Sequence, residues 1–315
     1  MKSIAIIFLS ILSIAGKVES KPRGPVVRIN SEQGPDSLSC IIPFSRAGNL
    51  ILIRAKADTT EGNFILDTGA PNLVLNMTYF RNYPAVSVPD EETGGITGGV
   101  SVSSHTIIEK FSFGPVEYDQ LTADRINLGH IENSKGIKIL GLMGVQLFKN
   151  FEMIIDYENS LLYLHRISKK EAAVYKSDQL KDTVSYSSFP INVMNDRILV
   201  YAQLAGKKLT LIIDSGAESN VLDSRLPNKI FDNVSINRRV IINGTGSKKV
   251  EALYGEMTNM SIGKQRLDTL PVLITNPEKM CFAYDQCLDG ILGFDFLSLH
   301  KIGFNFVTRK MYIWK

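Results

Sequence analysis

Short apolar runs rich in Ile, Val, Leu, Phe and Tyr, broken by Gly, Asn, Asp and Pro, recur through residues 41–165 and again through 188–314. Runs of this kind between turn residues predict β-strands. Two short helical pieces per half are expected as well, around 77–82 and 145–151 in the first and around 223–230 and 294–300 in the second. The chain is therefore predicted to be almost all β, with few helices. Between the halves, residues 168–182 carry Lys169, Lys170, Glu171, Lys176, Asp178, Lys181 and Asp182, the pattern of a solvated, partly helical linker.

The two halves are copies. Residues 64–76 read FILDTGAPNLVLN and residues 211–223 read LIIDSGAESNVLD, each an apolar strand that delivers one aspartate into a turn of a small hydroxyl residue, glycine and alanine. At the same offset of 147, Pro43 matches Pro190 and Ile51-Leu52-Ile53 matches Ile198-Leu199-Val200. Further on the offset grows to 149. There Ser112-Phe113-Gly114 matches Ser261-Ile262-Gly263, Gly141-Leu142-Met143-Gly144 matches Gly290-Ile291-Leu292-Gly293, and Ile155-Asp156-Tyr157 matches Phe304-Asn305-Phe306. One domain of about 130 residues has been duplicated. The expected division is a signal peptide at 1–20, an irregular lead-in at 21–38, a first lobe at 39–167, a linker at 168–185 and a second lobe at 186–315.

Composition narrows the field without deciding it. A chain of 315 residues with 44% hydrophobic and 21% charged residues has material for two cores. Its net charge of +3 is small and its Lys and Arg are scattered, which argues against a nucleic-acid partner. Lys2 followed by the apolar run Ile4 to Ile14 and by small residues at Ser13, Ala15, Gly16 and Ser20 predicts a cleaved secretory signal. The protein is thus expected to be secreted or to reach the periplasm or cell envelope. Retention of that run as a membrane anchor is the alternative, although it is short for a span. Cys281 and Cys287 stand six apart, a spacing suited to a small disulfide loop in an oxidising compartment, whereas Cys40 has Ser187 as its counterpart and reads as a buried free thiol. Residues 21–40 hold either a short pro-segment or the first strand of an interlobe sheet.

Asp67 and Asp214 carry the chemistry. An apolar strand needs no acid at its end for packing, so both are read as placed for a purpose. Two such turns on like domains meet if the copies pack about a pseudo-twofold axis. Two carboxyls held that close cannot both ionise easily and share a proton. One then serves as general base toward water while the other donates to a carbonyl oxygen, the pairing needed to hydrate an amide. Gly69 and Gly216 allow the sharp turn and bring a main-chain N–H to each carboxylate, and Thr68 and Ser215 offer hydroxyls for bonds between the copies. Leu142-Met143-Gly144 and Ile291-Leu292-Gly293 are expected to pack a strand behind each turn.

Asp67-Thr68-Gly69-Ala70 and Asp214-Ser215-Gly216-Ala217 each follow apolar residues, and the partner glycine comes 77 residues on at Gly144 and 79 on at Gly293. In these features the chain resembles the retropepsin-like aspartic peptidases, here as a tandem in one chain, over about 270 residues. The resemblance implies a bilobal, pseudo-twofold fold of two retropepsin-like β-barrel lobes. It also implies a catalytic pair Asp67 and Asp214, active-site loops held by Thr68, Gly69, Ala70, Ser215, Gly216 and Ala217, and glycine-rich flaps. The flap candidates are Gly95, Thr97 and Gly98 in the first copy and Gly244, Thr245 and Gly246 in the second; an ordinary hairpin is the simpler account of each. Pepsin-like enzymes fit less well, since alanine stands where they usually carry serine after the glycine and neither flap candidate has a tyrosine. The copies differ at Pro71 against Glu218, and Glu218 is read either as a solvated turn residue or as a charge that tunes the dyad or selects basic substrates.

Other chemistries find no footing in the sequence. His105, His130, His165 and His300 show no metal-ligand spacing, and no nucleophile elbow, phosphate loop or dinucleotide fingerprint occurs. No metal or cofactor is expected. The sequence therefore predicts an exported aspartic endopeptidase, a monomer that is an internal pseudodimer, acting on an extended peptide or protein. A catalytically silent peptide-binding or regulatory module of the same fold is the alternative, and a structural envelope protein on the same scaffold is a third.

Overall fold

A computed structural model of the chain describes residues 26–29, 38–85, 92–95, 98–101, 104–168, 171, 174, 177–242, 250–276 and 288–315. The fold is mostly β, organised as two lobes that share one sheet. In the first lobe, strands Leu50–Ala57, Thr60–Leu66, Leu73–Asn76, Ser104–Phe113, Val116–Ile126 and Gly141–Met143 close into a barrel, because Ser104–Phe113 pairs with both Val116–Ile126 and Leu50–Ala57. The second lobe repeats the motif with Arg197–Leu204, Lys207–Ile213, Val221–Asp223, Val250–Met257, Leu270–Thr275 and Gly290–Leu292.

The duplication is visible in which residues are buried. Leu50–Ala57 and Arg197–Leu204 run through the same sequence of buried and exposed positions, and so do Thr60–Leu66 and Lys207–Ile213. The same alternation of apolar and polar residues puts the same face of each strand into its core. In both copies the strand that ends at the aspartate lies parallel to the late glycine strand, Leu66 opposite Met143 and Ile213 opposite Leu292. The late strand's carbonyl then accepts from the aspartate's own amide, Met143 O from Asp67 at 3.1 Å and Leu292 O from Asp214 at 3.0 Å.

A six-stranded sheet joins the lobes, built from Ser39–Pro43, Phe151–Asp156 and Leu161–Arg166 of the first copy and Tyr186–Pro190, Ile302–Asn305 and Lys310–Trp314 of the second. Its central register is self-complementary. Met153 pairs with Phe304 and Ile155 with Ile302, while Ile154 pairs with Gly303, its own counterpart at the 149-residue offset. A twofold axis relating the copies must pass through that last pair. The late aromatics pack here: Tyr157, Phe304, Phe306 and Tyr312 are buried, and Tyr186, Tyr312 and Trp314 meet edge to face or tilted. Glu152 is buried in the same sheet and accepts from Asn305 Nδ2 at 3.0 Å, a polar bond between copies.

The expected short helical pieces are present as Met77–Phe80, Val145–Phe148, Asn228–Phe231 and Phe294–Leu297. Two features differ from expectation. Val26–Ile29, in the stretch read as an irregular lead-in, is a strand antiparallel to Val116–Ile126, and the interlobe sheet begins only at Ser39. A helix Gly129–Lys135 also appears in the first lobe, closed by Gly136 at φ +66° and tied down by Glu132, which accepts from Tyr79 Oη at 2.7 Å and from the Ile139 amide at 2.9 Å. The corresponding part of the second copy, 277–287, lies outside the described residues, and with it the Cys281 and Cys287 pairing. Cys40 is free and half-buried, and burial pushes its thiol up to about 11.

Gly144 and Gly293 are required by close approach. A side chain at Gly144 would drive into the carbonyl oxygens of Asn72 and Ala70, and one at Gly293 would stand 2.5 Å from Ala217 O and 2.7 Å from Ser219 O. Backbone cannot retreat from such overlap without moving the aspartate turn. Gly293→Ala is expected to cost about 3 kcal/mol or more of unfolding free energy, measured by urea denaturation against the parent chain.

Candidate active site

Asp67 and Asp214 sit at the ends of equivalent strands, on either side of the pseudo-twofold, and the structure brings them together. Their carboxyls are half-buried and hydrogen-bonded to each other. Each is also held from its own turn: Asp67 Oδ1 accepts from the amides of Gly69 at 2.9 Å and Ala70 at 3.1 Å, and Asp214 Oδ1 accepts from Gly216 at 2.8 Å. Glycine is needed at both turns because the copies cross so closely. A Cβ on Gly69 would fall 2.5 Å from the Asp214 carboxyl carbon, and one on Gly216 would fall 2.6 Å from that of Asp67.

The hydroxyl residues between acid and glycine bind the two turns to each other. Thr68 N donates to Ser215 Oγ at 3.0 Å, and Ser215 N donates to Thr68 Oγ1 at 2.9 Å. Each hydroxyl then donates its proton to the strand of the opposite copy, Thr68 Oγ1 to Ile213 O at 2.9 Å and Ser215 Oγ to Leu66 O at 2.8 Å. Both side chains are 1% exposed, so water offers them no substitute partners. Four reciprocal bonds fix the separation of the aspartates from behind.

Burial raises the pKa of both acids, and beyond that they diverge. Asp67 is drawn back by the hydrogen bond from Asp214, by the Gly69 and Ala70 amides and by the charge of Arg197. Asp214 is raised by burial first and then by the charge of Asp67, against the Gly216 and Ala217 amides. One proton therefore stays with the pair well above the pH at which an ordinary aspartate loses it.

The surroundings of the two turns are not equivalent. Glu218, expected either as a solvated turn residue or as a free charge beside the dyad, instead ties the copies together. It ion-pairs with Lys135 at the end of the helix, and it accepts from the Asn49 amide at 3.3 Å while Asn49 Nδ2 donates to its carbonyl at 3.3 Å. On the opposite side Arg197, buried at the start of its strand, donates from Nε to Gly69 O at 3.2 Å. Lys149 and Asp196 form a further pair between copies at 2.8 Å. Sequence reading passed over Arg197, Lys135 and Asn49. The signal for Arg197 was available, since its counterpart at the 147-residue offset is Leu50 and a cation in the frame of a core leucine stands out.

Of the flap candidates, Gly95 and Gly98 end the strands Glu92–Gly95 and Gly98–Ser101, which pair as an antiparallel hairpin. Thr97 and all of Gly244, Thr245 and Gly246 lie outside the described residues, the last three between the paired strands Val234–Ile242 and Val250–Met257. His105 is half-buried against Asp124, Nδ1 to Oδ1 at 2.7 Å, far along the chain from the dyad turns. Among the described residues no group of His, Cys, Asp and Glu is arranged to hold a metal ion.

Two like β lobes that present one aspartate each at their junction have the architecture of an aspartic-protease fold. Residues 200–296 match the family model described as aspartyl protease, and the retropepsin-like resemblance read in the sequence holds for this second copy. Among solved structures the chain is similar to basic 7S globulin from soybean, at 10% identity and a TM-score of 0.45, over 88% of this chain and 95% of that one. No curated protein matches the chain.

Two outcomes are expected. Thr68→Val strips the partner from the Ser215 amide and is expected to lower unfolding free energy by about 2 kcal/mol in urea titration, with Ser215→Ala costing a similar amount. The pH dependence has a definite sign. A carboxyl whose pKa is raised in the fold stabilises it fully only below the ordinary aspartate value near ~4, and that stability is lost as pH rises through the raised value. Asp214→Asn removes this loss, so its melting temperature is expected to overtake that of the parent increasingly as pH climbs from acid to neutral.

Proposed function

We propose that the chain is an aspartic endopeptidase, exported through its N-terminal apolar segment, that hydrolyses peptide bonds with water activated by Asp67 and Asp214. The observation that carries this reading is the aspartate pair itself, brought together by equivalent turns, each carboxyl raised in pKa first by burial. A pure binding module gains nothing from two mutually repelling acids in a costly environment. The aspartyl protease match over residues 200–296 supports the same reading.

In the first step the ionised carboxylate takes a proton from water as the water oxygen bonds to the carbonyl carbon. The protonated carboxyl gives its proton to the carbonyl oxygen, which receives the π pair, and a neutral gem-diol forms. In the second step the C–N bond breaks, nitrogen leaves with that pair and takes a proton from the first aspartate, and one diol hydroxyl returns its proton to the second. The dyad ends as it began, so no covalent intermediate is formed. The rigid frame of Thr68 and Ser215 serves this cycle because neither carboxyl must move between steps.

The test is digestion of a diverse peptide mixture by the purified mature chain across about pH 3 to 8, beside Asp67→Asn and Asp214→Asn. Each single substitution is expected to reduce kcat/KM by at least about a thousandfold with circular dichroism unchanged. Turnover indifferent to both substitutions, or absent at every pH in the parent, overturns the peptidase and favours a peptide-binding module of the same fold.

A further inference from the structure

Identical burial along Leu50–Ala57 and Arg197–Leu204 puts a leucine and an arginine in one and the same enclosed place of the two copies, Leu50 5% exposed and Arg197 7%. The Arg197 guanidinium donates from Nε to Gly69 O at 3.2 Å and from Nη1 to Asn195 O at 3.2 Å. Gly69 in turn donates its amide to Asp67 Oδ1 at 2.9 Å. A buried cation thus grips, across the junction of the copies, the turn that holds one aspartate. At the mirror position beside the Asp214 turn the strand starts with uncharged Leu50. The charge that does approach that turn, Glu218, closes on Lys135.

Asp196 at the tip of the Arg197 hairpin is paired with Lys149. Arg46 lies over the Phe294 ring, 5.3 Å from its centroid. Tyr157 is buried between Phe44 and Phe294, and burial raises its phenol, which stays neutral. Arg197 is the group among these whose placement treats the two aspartates unequally through a bond to one of their turns.

We propose that Arg197 is the positioning residue that breaks the symmetry of the dyad, holding Asp67 as the ionised carboxylate and leaving the shared proton on Asp214. Under the peptidase reading, on which the catalytic half of this inference rests, Asp67 is then the base toward water and Asp214 the acid toward the carbonyl. Guanidinium suits the task because it stays charged when buried and its fork serves two carbonyls at once. The direction agrees with the electrostatics: burial raises both acids, the Asp214 hydrogen bond and the Gly69 and Ala70 amides draw Asp67 back with the charge of Arg197 adding to them, and the charge of Asp67 drives Asp214 further up.

The experiment is a carboxyl carbon-13 NMR titration of the full chain labelled at aspartate, with the two resonances assigned from Asp67→Asn and Asp214→Asn. It compares the parent with Arg197→Gln, which keeps a donor for Gly69 O but no charge, Arg197→Leu, which copies the sister position, and Arg197→Lys, which keeps the charge. Asp67 is expected to titrate first in the parent and in Arg197→Lys. Its midpoint is expected to rise by about one unit in whichever neutral variant folds, and the acidic limb of kcat/KM to move with it. Asp214 titrating first in the parent overturns the proposal, as does an unmoved Asp67 midpoint in a folded neutral variant. If neither neutral variant folds, an Asp67 midpoint in Arg197→Lys equal to that of Asp214 also overturns it. Cleavage is scored separately. A parent that titrates in the expected order but cuts no peptide sinks the peptidase reading and leaves Arg197 its electrostatic role, while a parent that cuts beside a folded neutral variant with an unmoved Asp67 midpoint sinks Arg197 alone.

Discussion

Two acids that repel each other whenever both are ionised have to be held within hydrogen-bonding distance in a half-buried site, and much of the structure serves that constraint. When both are ionised, the repulsion acts to spread the turns apart. It is met from behind by the crossed bonds of Thr68 and Ser215, each amide served by the other copy's hydroxyl and each hydroxyl by the other copy's strand. Those residues can approach only because Gly69 and Gly216 carry no Cβ where the opposing carboxyl lies. The turns are supported in their turn by the late strands, which press so close at Gly144 and Gly293 that only hydrogen fits. The layers form one dependency, in which loosening any of them is felt at the carboxyls.

Around this symmetric centre the copies have diverged in charge. The first copy presents Pro71 and Leu50 where the second presents Glu218 and Arg197. Each of the two charged residues is used across the junction, Glu218 by Lys135 and Asn49, Arg197 by the Gly69 carbonyl. Burying a charge weakens a fold unless it is well partnered, so the presence of buried Arg197 at the junction is best understood through what it does there. Glu218 acts as a tie through Lys135 and Asn49, whereas Arg197 reaches across the junction to the carbonyl of the turn that holds Asp67.

The fold was legible because duplication doubles the signal. A lone Asp-Thr-Gly says little, but the same turn in frame with the same late glycine, twice, fixes which strand lies behind which turn. The matched strands at 151–156 and 302–305 were visible as part of the repeat, but their pairing across the copies is seen only in the structure. What escaped was whatever belonged to one copy only. The helix Gly129–Lys135 depends on Glu132 reaching Tyr79 and the Ile139 amide, contacts that no local periodicity announces. Val26–Ile29 is four residues in a stretch punctuated by Pro and Gly, and it becomes a strand only because Val116–Ile126 offers an open edge. Glu218 was seen, but its partner lies 83 residues away in the chain, so its tie could not be read from spacing.

The pairing of Ile154 with Gly303 at the heart of the shared sheet has a consequence for how the aspartates meet. In an assembly of two separate chains with this symmetry, the two acids find each other by collision, and the fraction assembled falls on dilution. Here the central strands of both copies belong to one polypeptide and add to one another as neighbouring rungs of a single sheet. The encounter is intramolecular, governed by an effective concentration that the linker sets and dilution leaves untouched. Fusion also removes the requirement that both halves be identical. A residue such as Arg197 can then be present on one side and absent on the other, an inequality that two copies of a single shorter chain cannot encode.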